Sequence, residues 1–133
     1  MKKYIGTKTV YAQPMTADEA KQKGYKVGGN TGNGYEVEYK DGYKSWCPCK
    51  AFEDAYQVAE TPLDRMEIEY SELTKKIYKL RDFITRNKSV DKLAEIVGKE
   101  QANLMFIQLH ATETYRECLY IRIVELKRRE AEQ

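Results

Sequence analysis

One permanent charge occupies a position where the surrounding pattern demands a core residue. Along the last apolar stripe of the chain, Met105, Leu109, Thr112, Arg116, Leu119, Ile123 and Leu126 recur at steps of 4, 3, 4, 3, 4 and 3. A guanidinium in such a stripe must find a partner, because an unpaired buried charge costs several kcal/mol. A carboxylate, a neighbouring subunit or an anionic ligand would each serve. Other chemistry is scarce. His110 is the single histidine, so no Ser-His-Asp or Cys-His set can be assembled around it. Cys47-Pro48-Cys49 lacks the spacing of a zinc site, and Cys118 stands alone. With no visible metal ligands and no nucleophile–base pair, the residues predict no enzyme, no cofactor and no metal.

The 133 residues suit one compact domain or a small module with a helical extension. The formal charge is +2. Residues 1–60 carry 9 Lys+Arg against 8 Asp+Glu, and residues 61–133 carry 14 against 13. Neither half is a basic patch, which disfavours a nucleic-acid polymer as partner. No run approaches the ~20 apolar residues that span a bilayer. The opening Met1-Lys2-Lys3-Tyr4-Ile5-Gly6-Thr7-Lys8 turns polar too soon for a signal peptide, so a cytosolic protein with reduced thiols is expected.

The elements that must position Arg116 fall into two stretches. Residues 1–58 predict a small antiparallel sheet with short helices. Tyr4 to Ala12 is rich in β-branched and aromatic residues and predicts a strand ended by Pro14. Thr16 and Glu19 form a capping box for a helix over 17–23, with Gly24 as its stop. Gly28 to Gly34 is a glycine-rich loop without the Lys-Ser/Thr ending of a phosphate loop. Tyr35, Val37 and Tyr39 alternate with Glu36, Glu38 and Lys40, as in a strand with one apolar face. Asp41-Gly42 predicts a two-residue type I′ hairpin turn, and Tyr43 to Cys47 the returning strand with Trp46 as its anchor. Phe52, Ala55 and Tyr56 suit a short helix on the sheet.

Residues 59–133 predict a long helix, a short helix and a second long helix. Thr61-Pro62-Leu63-Asp64 is a helix start. Leu63, Met66, Tyr70, Leu73, Ile77, Leu80 and Ile84 then keep the alternating 3–4 spacing of a lengthwise seam. Asn87-Lys88-Ser89 breaks the helix. Ser89 caps a short helix ended by Gly98, and the last helix runs over about 99–130. The long helices should close as an antiparallel hairpin. Leu104, Ile107, Ala111, Cys118 and Ile121 form a second apolar line beside the first. That line needs a surface of its own, which predicts oligomerisation through the helices. The fold class is thus α+β, a three-stranded sheet module followed by a helical hairpin.

Two sets of motifs carry a resemblance. Tyr4-Ile5-Gly6-Thr7-Lys8, Pro14-Met15-Thr16, Gly34 to Tyr39, Asp41-Gly42-Tyr43, Ser45-Trp46-Cys47-Pro48 and Phe52 to Tyr56 resemble a small-protein family common in tailed phages. Gln108-Leu109, Tyr115, Leu119 and Arg122-Ile123 resemble a recurring ending of phage helical hairpins. The combination is similar to the first-described Thoeris anti-defence family. Those proteins hold, without cleaving it, a cyclic ADP-ribose isomer made by bacterial TIR-domain immune enzymes, and some also sequester cyclic oligonucleotides. Their pockets lie between subunits and use arginines of the last helix with an aromatic residue. The resemblance implies a small cyclic nucleotide ligand, a homodimer or hexamer, and action in the host cytoplasm. Without it, a module that binds and inhibits a host immune effector through the hairpin explains the same pattern.

A cyclic ADP-ribose needs cations for its pyrophosphate, an aromatic face for its base and amides for its hydroxyls. The candidates on this chain are Arg116 and Arg122, with Tyr115 near the face of Arg122 because seven residues are about two helical turns. Phe83 beside the seam could stack a base, and Asn87 and Asn103 near the bend could read hydroxyls. The blander alternatives are Arg116 paired with Glu113 or Glu117, Arg122 paired with Glu125 or Glu130, Phe83 in the core, and Asn87 as a helix stop.

Overall fold

A computed structural model describes residues 1–87 and 89–133. Its elements, in chain order, are β1 (Tyr11–Pro14), α1 (Ala17–Gln22), β2 (Gly34–Glu38), β3 (Lys44–Pro48), α2 (Cys49–Ala55), α3 (Pro62–Arg86), α4 (Val90–Val97) and α5 (Lys99–Ala131). The fold class is α+β. Two compact units, Met1–Gln57 and Val58–Gln133, contain the sheet and the long helices respectively.

The first unit is an antiparallel sheet in the order β1-β2-β3. Both of its faces are used. On one, Tyr35 stacks on Phe52 of α2 with ring centroids 4.2 Å apart, and Phe52 stacks on Tyr56 at 5.0 Å. On the other, Met15, Ala17, Ala20, Val27 and Trp46 form the core. The Thr16 side chain caps α1 by accepting from the Glu19 backbone N–H at 3.2 Å. Trp46 Nε1 donates to the Met15 carbonyl at 2.8 Å, which satisfies the one polar atom of a buried indole.

Glu36 departs from its expected place on a solvated face. It pairs in register with Trp46, so its side chain shares the core face and is only 11% exposed. Tyr25 Oη donates to one carboxylate oxygen at 2.7 Å, Gln13 Nε2 to the other at 2.8 Å, and Lys23 lies 3.7 Å away. The Tyr25 hydroxyl first, then the Gln13 amide, hold the Glu36 carboxyl below the ordinary glutamate range.

Two further expectations are corrected. The strand predicted over Tyr4 to Ala12 spans Tyr11–Pro14. Register is the cause. Tyr11 pairs with Glu38, and the chain turns back just beyond, so residues 4–9 overrun the sheet with no strand opposite them. Tyr4 and Ile5 are 86% and 89% exposed. The hairpin turn is also longer than predicted. The Gly42 N–H donates to the Tyr39 carbonyl at 2.9 Å, and the Tyr39 N–H to the Tyr43 carbonyl at 2.8 Å. Lys40, Asp41 and Gly42 thus make a three-residue loop with Gly42 at φ +89°, the position where such loops need a left-handed residue.

The second unit follows its periodicity closely. Thr61 and Asp64 form a reciprocal capping box, with bonds of 3.0 and 3.1 Å, and Pro62 occupies the first turn. Cross-helix contacts fix α3 and α5 as antiparallel: Glu67 with Lys127, Tyr70 with Tyr120, and Arg81 with Glu113. Ile77 of α3 and Leu109, Leu119 and Ile123 of α5 are buried along the seam. Of the predicted break at Asn87-Lys88-Ser89, Lys88 lies outside the described residues. Ser89 caps α4 through the Lys92 N–H, and Gly98 at φ +91° turns the chain into α5. Leu93 and Ala102 are the buried residues at that corner. The second apolar line lies uncovered: Ala111 and Cys118 are exposed, as are Leu104, Ile107 (63%) and Ile121.

A Cβ added at Gly34 would lie 2.4 Å from the Trp46 ring and 2.5 Å from the Cys47 carbonyl oxygen. Gly34→Ala should therefore destabilise the first unit by about 1–3 kcal/mol through overpacking. Trp46 is the only tryptophan, so its fluorescence during denaturant unfolding measures the loss directly.

Candidate functional site

The groove beside Arg116 is built by the seam itself. Where α3 and α5 pack, three seam positions carry a hydroxyl or a charge, Tyr70 on α3 and Thr112 and Arg116 on α5, and Thr74 lies next to the seam residue Leu73 on α3. Thr74 Oγ1 donates to the Tyr70 carbonyl of its own helix at 2.9 Å, which leaves its lone pairs facing α5. Arg116 Nη1 reaches that oxygen at 3.4 Å. This is longer than the 2.7–3.2 Å usual for N–H···O bonds. Among the described residues Arg116 forms no ion pair. It is half-buried, and it opens on a groove of about 380 Å³ lined also by Tyr70, Arg81, Glu113, Glu117 and Tyr120.

Neither glutamate near Arg116 in sequence neutralises it. Glu117 is the adjacent residue, and adjacent helical residues diverge. Glu113 is taken by α3: Arg81 Nη2 donates to its carboxylate at 2.6 Å. That bond, more than the neighbouring charges of His110 and Arg116, holds the Glu113 carboxyl below the ordinary glutamate range. Two arginines and two glutamates therefore share the groove, and Arg116 is the one without a carboxylate. Tyr70 and Tyr120, 6.1 Å apart and tilted by 40°, form its aromatic end. The groove thus sets a guanidinium that has no carboxylate partner beside two aromatic rings.

The other predicted site residues lie elsewhere. At ~100° per residue, Tyr115 and Arg122 fall on the opposite side of the α5 seam from Glu113 and Tyr120. The Tyr115 hydroxyl donates to the Glu69 carboxylate of α3 on that side. Arg122 is exposed, and Glu125, one of its expected partners, is engaged by Arg128 and Arg129. Phe83 lines a second groove of about 480 Å³ with Ile77, Leu80, Met105, Gln108 and Thr112. Asn87 ends α3, and its amide donates to the Phe83 carbonyl at 2.6 Å. Asn103 is an exposed residue in the second turn of α5. One protomer thus gathers Arg116 with Arg81, Glu113, Tyr70 and Tyr120, while Tyr115, Arg122 and Phe83 lie across the seam. Arg81 was not singled out by its own sequence context. Its only signal is its place seven residues after Thr74, on the same helical face.

Residues 60–125 match the family model described as Sequestin. The Sequestin segment starts one residue before the Thr61 cap and covers α3, α4 and most of α5, and so includes every residue of the Arg116 groove. None of the curated proteins and none of the solved structures matches the chain. The family name speaks of sequestering. Among the described residues no group of His, Cys, Asp and Glu could hold a metal ion, and no helix is long and apolar enough to cross a membrane.

The Arg81–Glu113 bond ties α3 to α5, and its contribution follows the charge on Glu113. The folded pKa lies below the ordinary value, so the contribution is present above about pH 4.3 and is lost as pH falls through the lowered value. Glu113→Gln should lower the thermal midpoint of the helical signal at neutral pH. The gap between wild type and variant should close on acidification, as circular dichroism melts at stepped pH would record.

Proposed function

We propose that this protein is a non-catalytic sponge for an anionic cyclic nucleotide. Its ligand class is a cyclic ADP-ribose isomer, with cyclic oligonucleotides as related cargo, and it acts as a phage anti-defence protein in the host cytoplasm. The observation that carries the proposal is a coincidence of place. The Sequestin match falls on the segment whose seam holds a half-buried guanidinium with no carboxylate of its own. A phosphate supplies what Arg116 lacks, since an arginine fork binds phosphate oxygens bidentately. Tyr70 and Tyr120 offer faces to a base or a ribose edge.

The positions of the remaining candidates support an intersubunit pocket. Tyr115, Arg122 and Phe83 cannot meet a ligand seated on Arg116 of the same protomer, because the α3–α5 seam stands between them. A second copy can present them. The uncovered line Leu104, Ile107, Ala111, Cys118 and Ile121 gives α5 an apolar face for such an assembly, a homodimer or a hexamer. That same line favours one other reading, a module that binds a host immune effector and uses Arg116 against a carboxylate. Capture of one effector with no bound nucleotide, lost in Arg116→Glu because two carboxylates would then face each other, would select the second reading.

Calorimetric titration of the purified protein with cyclic ADP-ribose isomers and cyclic dinucleotides tests the proposal. Saturable binding is expected, with the ligand recovered intact after heat denaturation. Arg116→Ala should weaken binding by at least ~1.5 kcal/mol, the value of a hydrogen bond to a charged group. Absence of heat with all of these ligands well above micromolar concentration would refute the sponge.

A further inference from the structure

We infer that Glu113 is a built-in competitor: its carboxylate occupies Arg81 in the empty groove and is exchanged for a phosphate group when ligand enters. The inference rests on the proposed reading of the Arg116 groove as a phosphate site. It adds to that reading which residue the ligand must displace, and it gives Arg81 the role of second phosphate-holding cation.

Charge balance is the first argument. Arg81 and Arg116 face Glu113 and Glu117, so the groove is neutral as it stands. A pyrophosphate placed beside Arg116 would meet the Glu113 carboxylate close by, and like charges separated by a few ångströms repel by ~1–4 kcal/mol in a partly solvated setting. Glu113 is able to leave. Its side chain is 33% exposed and is held by a single bond, Arg81 Nη2 to Oε1, on the rim of the groove. Rotation about its own side-chain torsions carries the carboxylate into solvent and leaves helix α5 unchanged.

Acceptor chemistry is the second argument. Guanidinium N–H groups donate to carboxylate and phosphate oxygens alike, so the Arg81 Nη2 to Glu113 Oε1 bond marks a place where a phosphate oxygen fits. Arg81 and Arg116 line the same groove from opposite helices. Once Glu113 swings away, two guanidinium groups face one space, as a pyrophosphate with two charged centres requires. In the empty protein Glu113 keeps Arg81 paired across the helices; in the loaded protein the ligand does. The groove thus excludes neutral ligands, which cannot replace the carboxylate on Arg81, and singly charged ones gain little by the exchange.

A structural ion pair and an exchanged competitor predict different mutant signs. Glu113→Gln and Arg81→Gln both remove the bridge. If the bridge only shapes the hairpin, both variants lose affinity for cyclic ADP-ribose together. Exchange predicts opposite outcomes: Glu113→Gln tightens binding by about tenfold, as expected for removal of one nearby like charge, and Arg81→Gln weakens it by a similar factor. Calorimetry with cyclic ADP-ribose, and with inorganic pyrophosphate as the minimal probe, reads both, and thermal melts confirm that each variant is folded. If wild type binds and Glu113→Gln binds no more tightly, the exchange is overturned. A fall in affinity in both variants overturns it equally. If wild type binds neither probe, the phosphate reading of the groove fails and the exchange fails with it.

Discussion

The hairpin has to pack a seam that contains a guanidinium. An all-aliphatic seam would be more stable and would be closed. Here Arg116 sits among Leu109, Leu119 and Ile123, and the residues across from it are Thr74 and Tyr70 rather than leucines. Removing a charge from water is tolerated only when a partner compensates it. The partner visible in the protomer is one threonine hydroxyl at the edge of hydrogen-bond distance. The arginine instead opens on a groove whose other walls are Tyr70, Arg81, Glu113, Glu117 and Tyr120. The stability of the hairpin and the proposed anion site therefore rest on the same few side chains, and they pull in opposite directions.

Glu113 and Arg81 moderate that conflict. Without the Arg81–Glu113 bond two cations would face each other across one groove. With it the hairpin is neutral there, and α5 is tied to the C-terminal part of α3. The rest of the unit supplies rigidity around this point. The Thr61–Asp64 capping box fixes where α3 begins, and Gly98, with the buried Leu93 and Ala102, fixes where α5 begins. Register between the two helices follows, and register decides that residue 81 meets residue 113.

Much of this was legible in the sequence because it is local. Caps at Thr16, Thr61 and Ser89, the stop at Gly98, and the 3–4 spacing of both seams depend on residues within a few positions of each other. What was not legible depends on pairing across the chain. The strand from Tyr4 has the right composition along its whole length, but β2 ends before it does, and only register reveals that. Glu36 looks like a solvated residue by alternation, and becomes a core-facing carboxylate because Tyr25, Gln13 and Lys23 converge on it. Arg116 was legible as an oddity in an apolar stripe. Its companions were not. Arg81 and Glu113 are 32 positions apart, and Tyr70 read as one more seam residue. Phe83, Tyr115 and Arg122 have suitable chemistry, but their places on the helices put them across the seam from Arg116.

If, as proposed, the hairpin holds a cyclic nucleotide intact through Arg116, the protein carries that molecule through purification. The full chain would be incubated with a lysate in which a TIR-domain immune enzyme has been activated, then repurified and heat-denatured, and the released small molecules identified by mass spectrometry. The wild type should release an uncleaved cyclic nucleotide, and Arg116→Ala much less of it. No released nucleotide from the wild type, or only a ring-opened product, would contradict the proposal.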